Sequence, residues 1–152
     1  MQVLKFGGSS VGTSGAISKM IAIVKARVQT KPSIVVVSAI SGVTDQLILL
    51  GQTAAQGNEA YQTMIQSLAQ KHEDAILALL PTAQQASGLS MVKALIQEIE
   101  SHCASIFNES VLTVRMQDCL MSYGEILSSK IIAAAFDAEG VDQVWLDSRV
   151  MI

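Results

Sequence analysis

Val3-Leu4-Lys5-Phe6-Gly7-Gly8-Ser9-Ser10-Val11 decides how the rest of the chain is read: a short apolar run carries a lysine straight into a glycine pair. In an extended segment Leu4 and Phe6 share one face and Val3, Lys5 and Gly7 the other, so Lys5 projects beside the turn. Gly7 and Gly8 remove two Cβ atoms at that point. Backbone of this kind can take positive φ and aim its N–H groups at one spot, a concave donor site suited to an anion, phosphate above all.

Working outward, Thr13 or Ser14 can cap a helix from about Ala16 to Gln29, with Ile17, Met20, Ile21, Val24 and Val28 as its apolar stripe. Pro32 ends the connection, and Ile34-Val35-Val36-Val37 within Ser33 to Ser38 reads as a strand covered on both faces, as in parallel sheets. A right-handed strand-helix-strand unit puts both strand carboxyl ends at one sheet edge, where a ligand would sit. A second small-residue loop, Ala39 to Val43 with Ser41 and Gly42, faces the same crevice, and Thr44 is placed to cap the next helix. Helices are expected over Asn58 to Leu80, stopped by Pro81, and over about Met91 to Phe107. Ser122-Tyr123-Gly124-Glu125 leads into an apolar helix closed by Gly140, and Val144, Trp145 and Leu146 make a third strand ending at Asp147-Ser148-Arg149.

The 152 residues suffice for one domain with a core. Mean hydropathy is high at +0.42, yet no uninterrupted apolar run reaches the roughly 18 residues of a membrane span. The opening residues carry no basic region followed by a long apolar core, so no membrane partner and a cytoplasmic setting are expected. A net charge of −3 disfavours nucleic acid as a partner. Cys103 and Cys119 lack ligand spacing and read as buried free thiols, with no metal site expected. His72 and His102 are lone helical histidines, expected in solvated or capping roles, and the middle helices are assigned to packing, a lid or an oligomer contact. No repeat or linker divides the chain. Three strands are too little sheet for the helices counted, so the chain is expected to be a fragment of a longer polypeptide.

Spacing excludes two common phosphate motifs. There is no GxxxxGK followed by Ser or Thr, and Gly7, Gly8 and Gly12 do not fit GxGxxG. A lysine on the strand with amides in the turn can jointly hold a terminal phosphoryl group, an arrangement that suits a kinase. At these residues the chain resembles a family. Lys5 to Val11 is similar to the KFGGTSV opening of aspartokinases, within the amino acid kinase superfamily. Val37-Ser38-Ala39-Ile40-Ser41-Gly42-Val43-Thr44-Asp45 resembles the family's second segment, Ser122 to Ser128 its SxGExxS segment, and Asp147-Ser148-Arg149 the motif after the next strand.

The resemblance covers residues 1–152 and implies the N-terminal portion of one amino acid kinase catalytic domain. Its fold class would be α/β, a three-layer αβα sandwich with a mainly parallel central sheet, incomplete at the C-terminus. It implies ATP-dependent phosphorylation of the side-chain carboxylate of L-aspartate to 4-phospho-L-aspartate, the first step toward lysine, threonine and methionine. Mg2+ would ride on the ATP phosphates, the fragment alone would be inactive, and the full-length protein would be a homo-oligomer. Lys5 would be catalytic and, with Gly7, Gly8 and Ser9, would bind the ATP phosphates; Ser38, Thr44 and Glu125 would bind aspartate. Ser9 and Asp45 depart from the family's usual threonine and asparagine, and its later glycine-rich nucleotide segment is absent. Taken singly, Ser122 and Glu125 also form a capping box and Thr44 a simple cap. Another amino acid kinase, or a non-catalytic binding module, is the alternative.

Overall fold

A computed structural model describes residues 1–151. Strand β1 (Gln2–Phe6) and strand β2 (Ser33–Val37) pair in parallel, with Lys5 opposite Val36 and Phe6 opposite Val37. Between them runs helix α1 (Ser14–Val28), whose first turn is capped as predicted: the Thr13 hydroxyl accepts from the Ala16 amide at 3.1 Å. Ile17, Met20, Ile21 and Val24 are its buried stripe.

Both strands alternate between half-buried and exposed. Leu4, Phe6, Val35 and Val37 pack on the helical core, whereas Val3, Ile34 and Val36 are exposed. Coverage of β2 on both faces is therefore corrected: among the described residues, helices cover one face only. A β-branched run reports strand preference whichever face is buried.

Four more helices build that layer: α2 (Val43–Ala55), α3 (Ala60–Leu79), α4 (Thr82–Glu109) and α5 (Val114–Ala138). Leu47 and Leu50 of α2, Leu68 and Ile76 of α3, Ile99 of α4 and Leu127 of α5 are fully buried in one shared core. Helix α4 begins at Thr82 rather than near Met91. Gly88 lets it pack there, since a Cβ would lie 2.8 Å from a Leu80 methyl and 2.9 Å from an Ile76 methyl.

Helix α5 also begins early, at Val114, where the Thr113 hydroxyl accepts from the Met116 amide at 3.2 Å. Ser122 and Glu125 thus lie in mid-helix and form no capping box; the Ser122 hydroxyl donates back to the Cys119 carbonyl at 2.7 Å. Although α5 is long and apolar enough to cross a membrane, it is mostly buried as a core helix.

The expected third strand is a correction of a different kind. Residues 142–147 keep a strand-like alternation, with Val144 and Leu146 exposed, but pair with no strand among the described residues. Trp145 anchors the segment instead, its indole N–H donating to the Ser129 hydroxyl at 3.0 Å with the Lys130 ammonium 3.9 Å above its ring. His72 is neither solvated nor capping. It is fully buried, its Nδ1 lies 2.7 Å from the Leu68 carbonyl and its Nε2 has no partner. A ring nitrogen that bonds its own helix four residues back can enter a core that a solvated histidine avoids, and burial holds its pKa below the ordinary value.

Candidate functional site

The carboxyl ends of β1 and β2 meet at one edge, as their parallel pairing demands. The Ser38 amide donates to the Phe6 carbonyl at 3.1 Å and extends the ladder one residue past β2, setting Ser38 beside the Gly7-Gly8 turn. Lys5 is exposed on the sheet face away from the helices, and its Nζ lies 3.7 Å from where a Gly7 Cβ would stand, so the ammonium reaches forward over the turn.

After β1 the chain forms a 3-10 turn, Gly8–Ser10, closed by the Ser10 amide donating to the Gly7 carbonyl at 2.9 Å. Ser9 is exposed on it. Gly7 is extended (φ −80°, ψ 176°), and neither it nor Gly8 has positive φ, which corrects the conformational reason given for the pair. The left-handed glycine of the site is Gly42, with φ +78°, at the entrance to α2. Gly12 is needed for proximity: a Cβ would come within 2.9 Å of the Gly8 carbonyl oxygen and 3.1 Å of the Ser41 Cβ, so the two loops touch there.

Thr44 is corrected as a cap, because Gly42 holds the N-cap position and Thr44 sits half-buried inside the first turn of α2. Asp45 lies in the same turn, where the helix dipole favours a negative charge. Glu125 is exposed on α5. Two neighbours that the sequence reading assigned no role bring Glu125 to the Ser38 loop. Gly124 lies against that loop, with an added Cβ 3.0 Å from the Ala39 Cβ and 3.4 Å from side-chain carbons of Val43 and Leu47. Ser128 is fully buried, and its hydroxyl donates to the Ser38 carbonyl at 2.7 Å. A single glycine, and a Ser128-Ser129 pair interrupting an apolar helical stripe, were their signals in the sequence.

Lys5, Gly7, Gly8 and Ser9 thus occupy the end of β1 and its turn, Ser38 the loop after β2, Thr44 the first turn of α2, and Glu125 the stretch of α5 stitched to that loop. Further along, Arg149 grips Asp147 through two guanidinium nitrogens, the shortest contact being 2.7 Å, and lies 6.0 Å over the Tyr123 ring. That hydrogen bonding holds the Asp147 carboxyl below its ordinary range. A cleft of about 530 Å³ lies between the Gly12-Thr13 segment and Ser67, Lys71 and Asp74 of α3, and none of the seven predicted residues lines it. Among the described residues, no three His, Cys, Asp or Glu side chains gather closely enough to hold a metal ion.

Comparison with known proteins agrees with this architecture. The family model described as the amino acid kinase family matches residues 1–151. The chain is 29% identical over 147 residues to the chloroplastic bifunctional aspartokinase/homoserine dehydrogenase 1 of Arabidopsis thaliana, covering 97% of this chain and 16% of that protein. It is 42% identical over 71 residues to the aspartokinase of Chlamydia muridarum, covering 47% of this chain and 15% of the relative. It superimposes on E. coli aspartokinase III in complex with aspartate and ADP with a TM-score of 0.84 at 21% identity, covering 98% of this chain and 31% of the other. The lysine and aspartate complex of the same enzyme gives 0.82 at 24% identity, covering 98% and 32%. The resemblance to aspartokinases is borne out, and the fold is the α/β fold of these enzymes, of which this chain shows a parallel strand pair and the helical layer on one face. With a family match along nearly its whole length, the chain belongs to the amino acid kinase family.

Proposed function

We propose that this chain is the N-terminal portion of an aspartokinase catalytic domain and takes part in ATP-dependent phosphorylation of the side-chain carboxylate of L-aspartate. The observation that carries this reading is the convergence, at one sheet edge, of the Lys5-Gly7-Gly8 turn with the Ser38 to Thr44 loop and the stretch of α5 bearing Glu125. The similarity to an aspartokinase solved with aspartate and ADP supports it.

A carboxylate acceptor is already ionised at neutral pH and needs no general base, so the work left is positioning and charge neutralisation. Lys5 is exposed with its ammonium over the turn, free to offset charge on the transferred phosphoryl group. The amides of Gly7, Gly8 and Ser9 orient its oxygens. Glu125 pairs with the substrate ammonium, and the Ser38 and Thr44 hydroxyls bind its carboxylates. The nucleotide phosphates, rather than these residues, would hold Mg2+, which would supply further charge neutralisation there.

The chain spans 16% of the first curated relative and 31% of the aspartokinase III chain. On this reading the 152 residues alone bind aspartate without turning it over; the complete protein is read as a cytoplasmic homo-oligomer from the resemblance alone. Titrating L-aspartate into the 15N-labelled chain should move the amide signals of Ser38, Thr44 and Glu125. Glu125→Gln should abolish the preference for aspartate over succinate. Equal response to glutamate or N-acetylglutamate would redirect the reading to another amino acid kinase, and aspartyl hydroxamate trapped from this chain with ATP would overturn its inactivity. In the complete enzyme, Lys5→Ala should lower kcat by about 10²-fold or more with little change in the KM for aspartate.

A further inference from the structure

A second constellation joins α4 to α5 outside the candidate site. Glu98 and His102 stand four residues apart on α4, and Cys119 and Tyr123 four apart on α5, so each pair shares one helical face. The Tyr123 hydroxyl donates to the Glu98 carboxylate at 2.8 Å and lies 3.3 Å from Nε2 of His102, while the Cys119 thiol lies 3.7 Å from that same nitrogen. The His102 and Tyr123 rings are tilted against each other with centroids 5.8 Å apart. A nucleophile and a base within reach of its proton are the two essential parts of an activated nucleophile, and both are present here.

We propose that Cys119 is a reactive thiol activated by His102, and that it is a site of oxidation by small hydroperoxides. With the Tyr123 proton committed to Glu98, Nε2 of His102 is left to accept the thiol proton. The thiolate then attacks one oxygen of the peroxide. The S–O bond forms, the O–O bond breaks, and the leaving hydroxide, or alkoxide from an alkyl hydroperoxide, takes the proton back from the imidazolium as water or alcohol. Sulfur is oxidised to a sulfenic acid and the peroxide is reduced. The imidazolium formed on the way is paired through Tyr123 with the Glu98 carboxylate.

The other cysteine shows the contrast. Cys103 is fully buried, and burial, assisted by Glu100, pushes its thiol up to about 12, out of the reactive range. Cys119 is only half-buried and His102 is exposed, so a small oxidant can approach.

The test uses the purified 152-residue chain with hydrogen peroxide and a dimedone trap, read by peptide mass spectrometry, and stands apart from the kinase reading because no turnover is measured. Cys119 should label and Cys103 should not. His102→Gln, at an exposed position, should slow labelling about tenfold or more, because it removes the base within reach of the thiol proton. Tyr123→Phe should slow it less, since it leaves Nε2 of His102 within reach of the thiol and removes only the hydroxyl beside the imidazolium. Unchanged circular dichroism of the variants excludes unfolding as the cause. Labelling of Cys119 at the same rate in His102→Gln, equal labelling of the two cysteines, or no labelling of Cys119 would each overturn the assignment.

Discussion

Replacing Ser128 with alanine tests the joint that holds the candidate site together. Its hydroxyl is fully buried and donates at 2.7 Å to the Ser38 carbonyl, 90 residues away in sequence, where β2 gives way to the loop. A buried carbonyl deprived of its donor costs about 1–3 kcal/mol, and alanine returns roughly 0.5 kcal/mol through its better helix propensity. The weaker 3.2 Å approach to the Glu125 carbonyl adds little, because that oxygen lies in mid-helix and keeps its backbone donor. The net expectation is a loss of about 1–2 kcal/mol, or a urea midpoint lowered by about 0.5–1 M for an m-value of ~2 kcal/mol/M. Equilibrium urea unfolding followed by circular dichroism measures it. Ser101→Ala is the companion, since its hydroxyl makes the same kind of bond, 2.9 Å to the Gln97 carbonyl, in the open. A midpoint for Ser128→Ala no lower than that of Ser101→Ala would refute the reasoning.

Gly124→Ala sets a gain of about 1 kcal/mol in helix propensity against overpacking of about 1–3 kcal/mol, because the new Cβ would meet Ala39 at 3.0 Å. A modest net destabilisation is expected, with a drop in aspartate affinity as α5 withdraws; a raised midpoint would count against it. Burial lowers the pKa of His72 from 6.5, so the unfolded chain takes up a proton before the folded one does. That stability is full above about pH 6.5 and is lost as the pH falls through the folded-state pKa. Between pH 7.5 and 5, wild type should therefore lose more stability than His72→Leu, and parallel losses would contradict the assignment. Lys25 and Glu139 form an exposed 3.0 Å pair, and Lys25→Ala should change stability by no more than about 0.5 kcal/mol in a urea titration.

The strand-turn-helix-strand opening was legible because β-branched runs, a capping threonine and a 3.6-residue stripe each act over short distances. The same locality explains the errors. Residues 142–147 have strand chemistry, but a strand exists only where a neighbour completes its ladder. The start of α4 turns on Gly88 fitting beneath Leu80 and Ile76, side chains of another helix. The positions of the candidate site residues followed from chain order, yet the contacts linking them, Ser128 to Ser38 and Gly124 to Ala39, join segments some 90 residues apart, which no local pattern reports. Cys119 and His102 looked inert for the same reason: each is unremarked on its own helix, and only the packing of α4 on α5 places them 3.7 Å apart.

The bare face of β1 and β2 bears on the protein in solution. Each strand is paired on one side only among the described residues, leaving open ladders next to Val3, Ile34 and Val36, a template for one molecule to stack on another. Lys5 is the one charge in either strand. It therefore doubles as a gatekeeper against self-association, whatever it does for phosphate. Lys5→Ala would remove both roles together, whereas Lys5→Arg keeps the gatekeeping charge and changes only the shape of the cation presented over the turn.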